Sequence, residues 1–208
     1  MRIDAAVSLP RGRDSGDALG AILKRNKFDG ALVFGSSEAE FPWVKGIILA
    51  EDAPGGDSMA RAVRVHSVEA ARRWVPSGLA IDLHVEDLTA AIPFVLEYPR
   101  TAIIPRLDDD VERWATAIGR IARETAAFVK VADMVTNVSA EVLRPYVQFL
   151  LRTLGPERLI YASAWPKGLP DWGWKQSLAV FTQAMGPRSL EHREMILGGN
   201  AGRLYRLD

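Results

Sequence analysis

The chain has 208 residues, 48% hydrophobic and 25% charged, a balance ordinary for a soluble globular protein and long enough to bury a sizeable core as one domain over residues 1–208. Its 26 Lys and Arg face 26 Asp and Glu, so no net field draws in nucleic acid or an anionic membrane, and any recognition of anions has to be local. The absence of cysteine excludes disulfide frameworks, thiolate zinc sites and cysteine nucleophiles.

No apolar run approaches the roughly 20 residues of a membrane helix, and Met1 to Asp4 leads into a strand pattern without a signal-like apolar core. A cytoplasmic protein is the expectation. Arg2 to Val7 reads as a strand, and Asp17 to Asn26 as a helix with Leu19, Ile22 and Leu23 on one face and Lys24-Arg25 near its end. Gly30 to Phe34, Trp43 to Ala50 and Ala60 to His66 follow as strands. The gaps between these three are too short for a full crossover helix, which takes at least about 10–12 residues with its turns. The covering helices after strands two and three are therefore expected to be shortened or missing.

From Ser67, an N-cap, the alternation becomes regular, with a helix running to Trp74. Leu79 to Glu86 alternates strictly, which in a parallel barrel turns Leu79, Ile81, Leu83 and Val85 outward and Asp82, His84 and Glu86 inward. Asp87 to Tyr98 reads as a helix, Thr101 to Pro105 as a strand reaching Arg106, and Asp108 to Thr125 as a long helix. Phe128 to Asp133 is the next strand, Ser139 to Leu154 a helix stopped by Gly155-Pro156, and residues 158–163 the last strand. Lys175 to Met185 and Leu190 to Leu197 read as helices. About eight strands alternating with helices predict a parallel α/β fold, with a (β/α)8 TIM barrel ahead of an open doubly wound sheet. No glycine-rich phosphate fingerprint appears.

Three stretches carry a family resemblance. Leu154-Gly155-Pro156-Glu157-Arg158 through Ser163-Ala164-Trp165-Pro166 looks like a Gly-Pro-Glu-Arg to Gly-Ser-Asp-Trp-Pro segment. Asn200-Ala201-Gly202-Arg203-Leu204-Tyr205 looks like an Asn-Ala-x-Arg-Leu-Tyr segment, and Ile3-Asp4-Ala5-Ala6-Val7-Ser8 has the frame of an Ile-Asp-x-His-x-His strand. On these the chain resembles the amidohydrolase-related TIM-barrel hydrolases of the amidohydrolase superfamily, which include lactonases, dicarboxylate hydrolases and decarboxylases.

The resemblance implies a divalent metal held by His-x-His on the first strand, a later His and an Asp on the eighth strand, activating water for attack. Here Ala6 and Ser8 replace the first pair, Arg106 stands where the later His would fall, and Ala164 replaces the Asp. Methyl groups do not ligate metals and a guanidinium repels them, so no metal and no other cofactor is expected, and the metal-hydroxide mechanism should be absent. A displaced metal on His66 and His84 with Glu86 or Asp52 is the alternative to that expectation.

Inward-facing residues at the strand ends then become the candidates. His66, His84 and Asp82 are candidate acid/base groups, and Arg64, Arg106 and Lys130 candidate ligands for a small carboxylate, because cations, and Arg bidentately, bind such groups. Glu86, Asp133, Arg11 and Arg13 lie nearby in the reading. The competing assignment pairs Asp82 with Lys130 or Arg64 for charge satisfaction alone. Ser8 and Ser163 read as packing, as do Trp165, Trp172 and Trp174. With helices missing, Leu32 or Phe34 and Ile47 or Ile48 would face water unless a homodimer or the C-terminal helices cover them. Two functions remain open: a degenerate hydrolase that binds a small carboxylate, with metal-free hydrolysis, and a catalytically inactive barrel serving as a binding or assembly subunit.

Overall fold

A computed structural model of the chain describes residues 1–8, 13–35, 41–108, 110–166 and 173–207, with the backbone alone at 13–15. Within them the apolar runs become eight parallel strands hydrogen-bonded in chain order. These are β1 (Ile3–Ser8), β2 (Gly30–Phe34), β3 (Val44–Ala50), β4 (Ala60–Val65), β5 (Ala80–Leu83), β6 (Thr101–Ile103), β7 (Phe128–Lys130) and β8 (Leu159–Ile160). Beyond β8 the chain returns to β1: Ala5 N donates to Tyr161 O at 3.3 Å, Ala164 N to Ala6 O at 3.0 Å and Ser8 N to Trp165 O at 2.7 Å. These bonds close the sheet into the expected barrel.

Helix α1 (Arg13–Arg25) follows β1, α2 (Val68–Trp74) follows β4, and α3 (Ile92–Glu97), α4 (Val111–Glu124) and α5 (Ala140–Leu154) follow β5, β6 and β7. After β8 come α6 (Trp174–Met185), α7 (Leu190–Glu194) and α8 (Asn200–Tyr205). Ser67, Asp110 and Ser139 each accept a hydrogen bond from a backbone amide of the first turn they cap, satisfying donors that a helix start otherwise leaves unpaired. Among the described residues no helix stands between β2 and β3 or between β3 and β4, as the short gaps predict.

Several boundaries differ from the sequence reading. The alternation through Glu86 overruns β5, which ends at Leu83, and Glu86 is exposed. Helix α3 begins at Ile92 because the Asp87 carboxylate captures the amides of Thr89 and Ala90 in a turn, competing with helical hydrogen bonding. The strand expected over Phe128 to Asp133 stops at Lys130, and Asp133 opens a short 3₁₀ turn.

Leu32, Ile47 and Ile48, expected to face water unless a homodimer or the C-terminal helices covered them, are buried within the chain. Leu32 and Ile48 point into the barrel, while Ala31, Val33, Ile47 and Leu49 face outward, and all are buried. Trp43 lies on α1, its Nε1 donating to Gly16 O at 3.1 Å, and Phe41 stacks on it at 5.5 Å. Both aromatics pack against the outer core cluster, and with these strand residues buried within the single chain the homodimer loses the exposed surface on which it was reasoned.

At the floor of the barrel, α8 inserts Ala201, Leu204 and Tyr205 among the inner residues of the strands. Asn200 Nδ2 donates to Pro156 O and Leu159 O, both at 2.7 Å, and Arg203 reaches Glu157 O, so the last motif of the sequence is a clamp between α8 and the start of β8. Gly198 is required by close approach: a Cβ there would lie 2.4 Å from Met1 O and 2.5 Å from Ile3 N.

Candidate active site

A parallel barrel gathers the C-terminal ends of its strands at one rim, and a cleft of about 480 Å³ opens there. Ala6, Ser8 and Phe34 form one side of it, from the ends of β1 and β2. Arg64 and His66 come from β4 and its end, His84 follows β5, Arg106 follows β6, and Asp133 follows β7. Ala164 and Pro166, beyond β8, complete the wall.

Five residues that the sequence places at this rim, Arg64, His66, His84, Arg106 and Asp133, come together. Arg106 Nε donates to His84 Nε2 at 2.8 Å, and the His84 Nε2 lies 3.8 Å from Asp133 Oδ2. The His66 and His84 rings are 5.4 Å apart between centroids. His66 is the outer of the two, 56% exposed, with its Nδ1 3.7 Å from Glu51 Oε2 and its backbone N–H donating to the same oxygen. The Arg64 guanidinium sits 4.8 Å over the Phe34 ring, and its Nε and Nη2 have no hydrogen-bond partner among the described residues.

Asp82 and Lys130 lie one layer deeper, both fully buried and outside the cleft wall. Lys130 Nζ donates to Asp82 Oδ2 at 2.5 Å and to Tyr205 OH at 3.1 Å, while Tyr205 OH donates to Asp82 Oδ1 at 2.6 Å. Arg64 Nη2 stands 3.9 Å from Asp82 Oδ2. Burial pushes the Lys130 ammonium down to about 8 against the pull of Asp82, and it raises the Tyr205 phenol well above its ordinary range. The pairing foreseen for Asp82 is therefore made twice over, with a strong partner in Lys130 and a looser one in Arg64.

The remaining candidates are dispersed. Ser163 is buried, its amide donating to Asp4 Oδ1 and its hydroxyl accepting from Trp165 N, and Trp174 packs in the core with Nε1 donating to Asp4 Oδ2 at 2.6 Å. Arg11, Trp172 and the side chain of Arg13 lie outside the described residues. Sequence reasoning overlooked Glu51 and Tyr205, and it set Leu32 or Phe34 on the outer face, whereas both share the inward phase of β2 and Phe34 reaches the cleft. Tyr205 carried a signal in its terminal motif, whereas nothing in the sequence marked Glu51.

Among the described residues, the cleft lacks the donor chemistry that the metal implied by the resemblance requires. Ala6 and Ala164 present methyl groups to the cleft, Arg106 presents a cation, and the His84 Nε2 lone pair is occupied by Arg106. Among the described residues no three His, Asp or Glu side chains gather in a metal-holding group, and Asp52 and Glu86 are exposed. The described residues fit neither the implied metal nor the displaced one. No helix among them is long and apolar enough to cross a membrane.

A family model described as amidohydrolase matches residues 42–207. The L-fucono-1,5-lactonase of Burkholderia ambifaria is 28% identical over 141 residues, covering 58% of this chain and 47% of the lactonase, so the chain spans about half the length of that relative. An amidohydrolase from Burkholderia multivorans with bound HEPES superposes with a TM-score of 0.75 at 16% identity over 100% of both chains. The probable 2-pyrone-4,6-dicarboxylic acid hydrolase of Acinetobacter baumannii, with citric acid bound, superposes with a TM-score of 0.71 at 11% identity over 99% of both chains. At these identities the superpositions establish the barrel.

Proposed function

This chain belongs to the amidohydrolase family, and we propose that its rim cleft binds a small organic carboxylate through Arg64 and Arg106, with hydrolysis, where it occurs, proceeding without a metal. The observation that carries the reading is the Arg64 guanidinium, steadied by Phe34 at the cleft wall with two of its nitrogens, Nε and Nη2, left unpartnered among the described residues. An unpaired buried donor is costly, by about 1–3 kcal/mol, and an incoming carboxylate relieves that cost. Arg106 supplies a second cation at the rim, and the lactonase, citrate-bound and HEPES-bound relatives support an acidic or lactone ligand.

In a metal-free hydrolysis His84, whose imidazole is oriented by Arg106, is the inner acid/base group, and His66 is the outer proton acceptor open to water. Asp82, buried beneath them, acts on the site through Arg64. The donor set supports the loss of metal-hydroxide chemistry, because the positions facing the cleft offer methyl groups and a guanidinium. A second reading, an inactive barrel that binds or assembles without turnover, is favoured by the occupied Nε2 of His84, which in this arrangement takes no proton from water.

A thermal-shift and turnover screen of lactones, sugar acids and small dicarboxylates tests both. Stabilisation by at least one compound, removed by Arg106→Ala, is expected. Turnover that disappears in His84→Ala selects the hydrolase, and binding without turnover selects the inactive barrel. No stabilisation by any compound would overturn the carboxylate reading.

A further inference from the structure

We infer that Asp82, locked by Tyr205 and Lys130, is a positioning residue that keeps Arg64 available to the ligand, so that α8 sets the affinity of a cleft whose lining contains none of its side chains. The inference rests on the reading of the cleft as a carboxylate site.

Asp82 offers one carboxylate to two cations. Its Oδ1 accepts from the Tyr205 hydroxyl and its Oδ2 from the Lys130 ammonium. With both oxygens engaged, Oδ2 attracts Arg64 Nη2 across 3.9 Å without a hydrogen bond. That separation holds the guanidinium in place, against Phe34, while its Nε and Nη2 stay uncommitted. Removing the Tyr205 hydroxyl frees Asp82 Oδ1 and removing the Lys130 charge frees Oδ2, and the nearest cation besides Lys130 is Arg64. The guanidinium then turns inward and its donors leave the ligand. A network that served only to fill the barrel would change stability and leave ligand affinity alone.

A pH profile separates the two roles. The charged and titratable groups facing Lys130 are Asp82 on β5, Arg64 on β4, Tyr205 on α8 and Asp4 on β1. Lys130 loses its proton near pH 8 and frees Asp82, so affinity for an anion falls as pH rises through that value.

Calorimetric titration of the full chain with citrate from about pH 7 to about pH 9.5, where citrate keeps its full charge, is the test. The wild type is expected to lose affinity across that span, by about 3- to 10-fold, and Tyr205→Phe to start about 3- to 10-fold weaker at pH 7 with its fold retained by circular dichroism. Arg64→Ala reports on the parent reading. Citrate binding unchanged in Arg64→Ala, or absent in the wild type, overturns the carboxylate site itself. Binding lost in Arg64→Ala but matched by Tyr205→Phe in affinity and pH profile overturns the positioning role alone. A flat wild-type profile also overturns it, whether or not the variants fold.

Discussion

Arg106 Nε donates a 2.8 Å hydrogen bond to His84 Nε2 between the neighbouring ends of β6 and β5 at the barrel rim. The bond fixes the imidazole with its proton on Nδ1 and sets a guanidinium at the position where the family resemblance places a metal-binding histidine. Arg106→Ala removes a charge-assisted donor worth about 1.5–3 kcal/mol and is expected to weaken carboxylate binding by roughly 10- to 100-fold. Arg106→Lys keeps the charge but not the planar fork, so it restores only part of the loss. Equal affinities of Arg106→Lys and wild type in calorimetry would show that charge alone suffices.

Breaking the buried pair from one side should be far worse than removing it whole. Asp82→Ala strands the Lys130 ammonium in a fully buried layer and is expected to cost roughly 3–5 kcal/mol of unfolding free energy. Combining Asp82→Leu with Lys130→Met should recover most of that loss, because two apolar side chains need no counter-charge. Urea denaturation checks both, and a double variant as unstable as the single one would contradict the pairing.

Lys130 also gives stability a pH dependence. Its folded-state value of about 8 lies below the roughly 10.4 of an exposed lysine, so between the two the unfolded chain holds a proton that the folded chain has released. Stability therefore rises with pH across that window, and the contribution is lost as pH falls through about 8. Measured against Lys130→Met, which lacks the group, the wild type should gain stability from about pH 8 to about pH 10. A difference that stays constant or shrinks would contradict the shift.

Tyr161 is a buried phenol among Phe28 and Phe181, and its hydroxyl has no hydrogen-bond partner among the described residues. Burial raises its pKa well above the ordinary tyrosine value, as expected for a hydroxyl kept from solvent. Tyr161→Phe deletes an unsatisfied polar group while keeping the ring, and stability is expected to rise by about 1 kcal/mol. A clear loss in chemical denaturation would mean that the hydroxyl has a partner.

Much of the barrel was legible because its signals are local. Ser67 and Ser139 stand where helices start, and apolar runs of strand length recur along the chain. Boundaries were less legible where a side chain competes with the backbone, as Asp87 does at the start of α3. The cover over β2 and β3 was missed because Phe41 and Trp43 act through their position on α1, which no periodicity in residues 41–43 reveals. In the site, alternation foretold that Asp82 and His84 share a face, but depth along the barrel axis is a three-dimensional quantity. It separates Asp82, beneath the cleft with Tyr205 and Lys130, from His84 and Arg106 at the rim.

A crystal structure of the chain with citrate decides whether the rim cleft is a carboxylate site. A carboxylate of the ligand is expected within hydrogen-bond distance of the Arg64 and Arg106 guanidiniums, with the Asp82, Lys130 and Tyr205 layer unchanged beneath it. Citrate bound elsewhere, or a cleft holding none at saturating concentration, would contradict it.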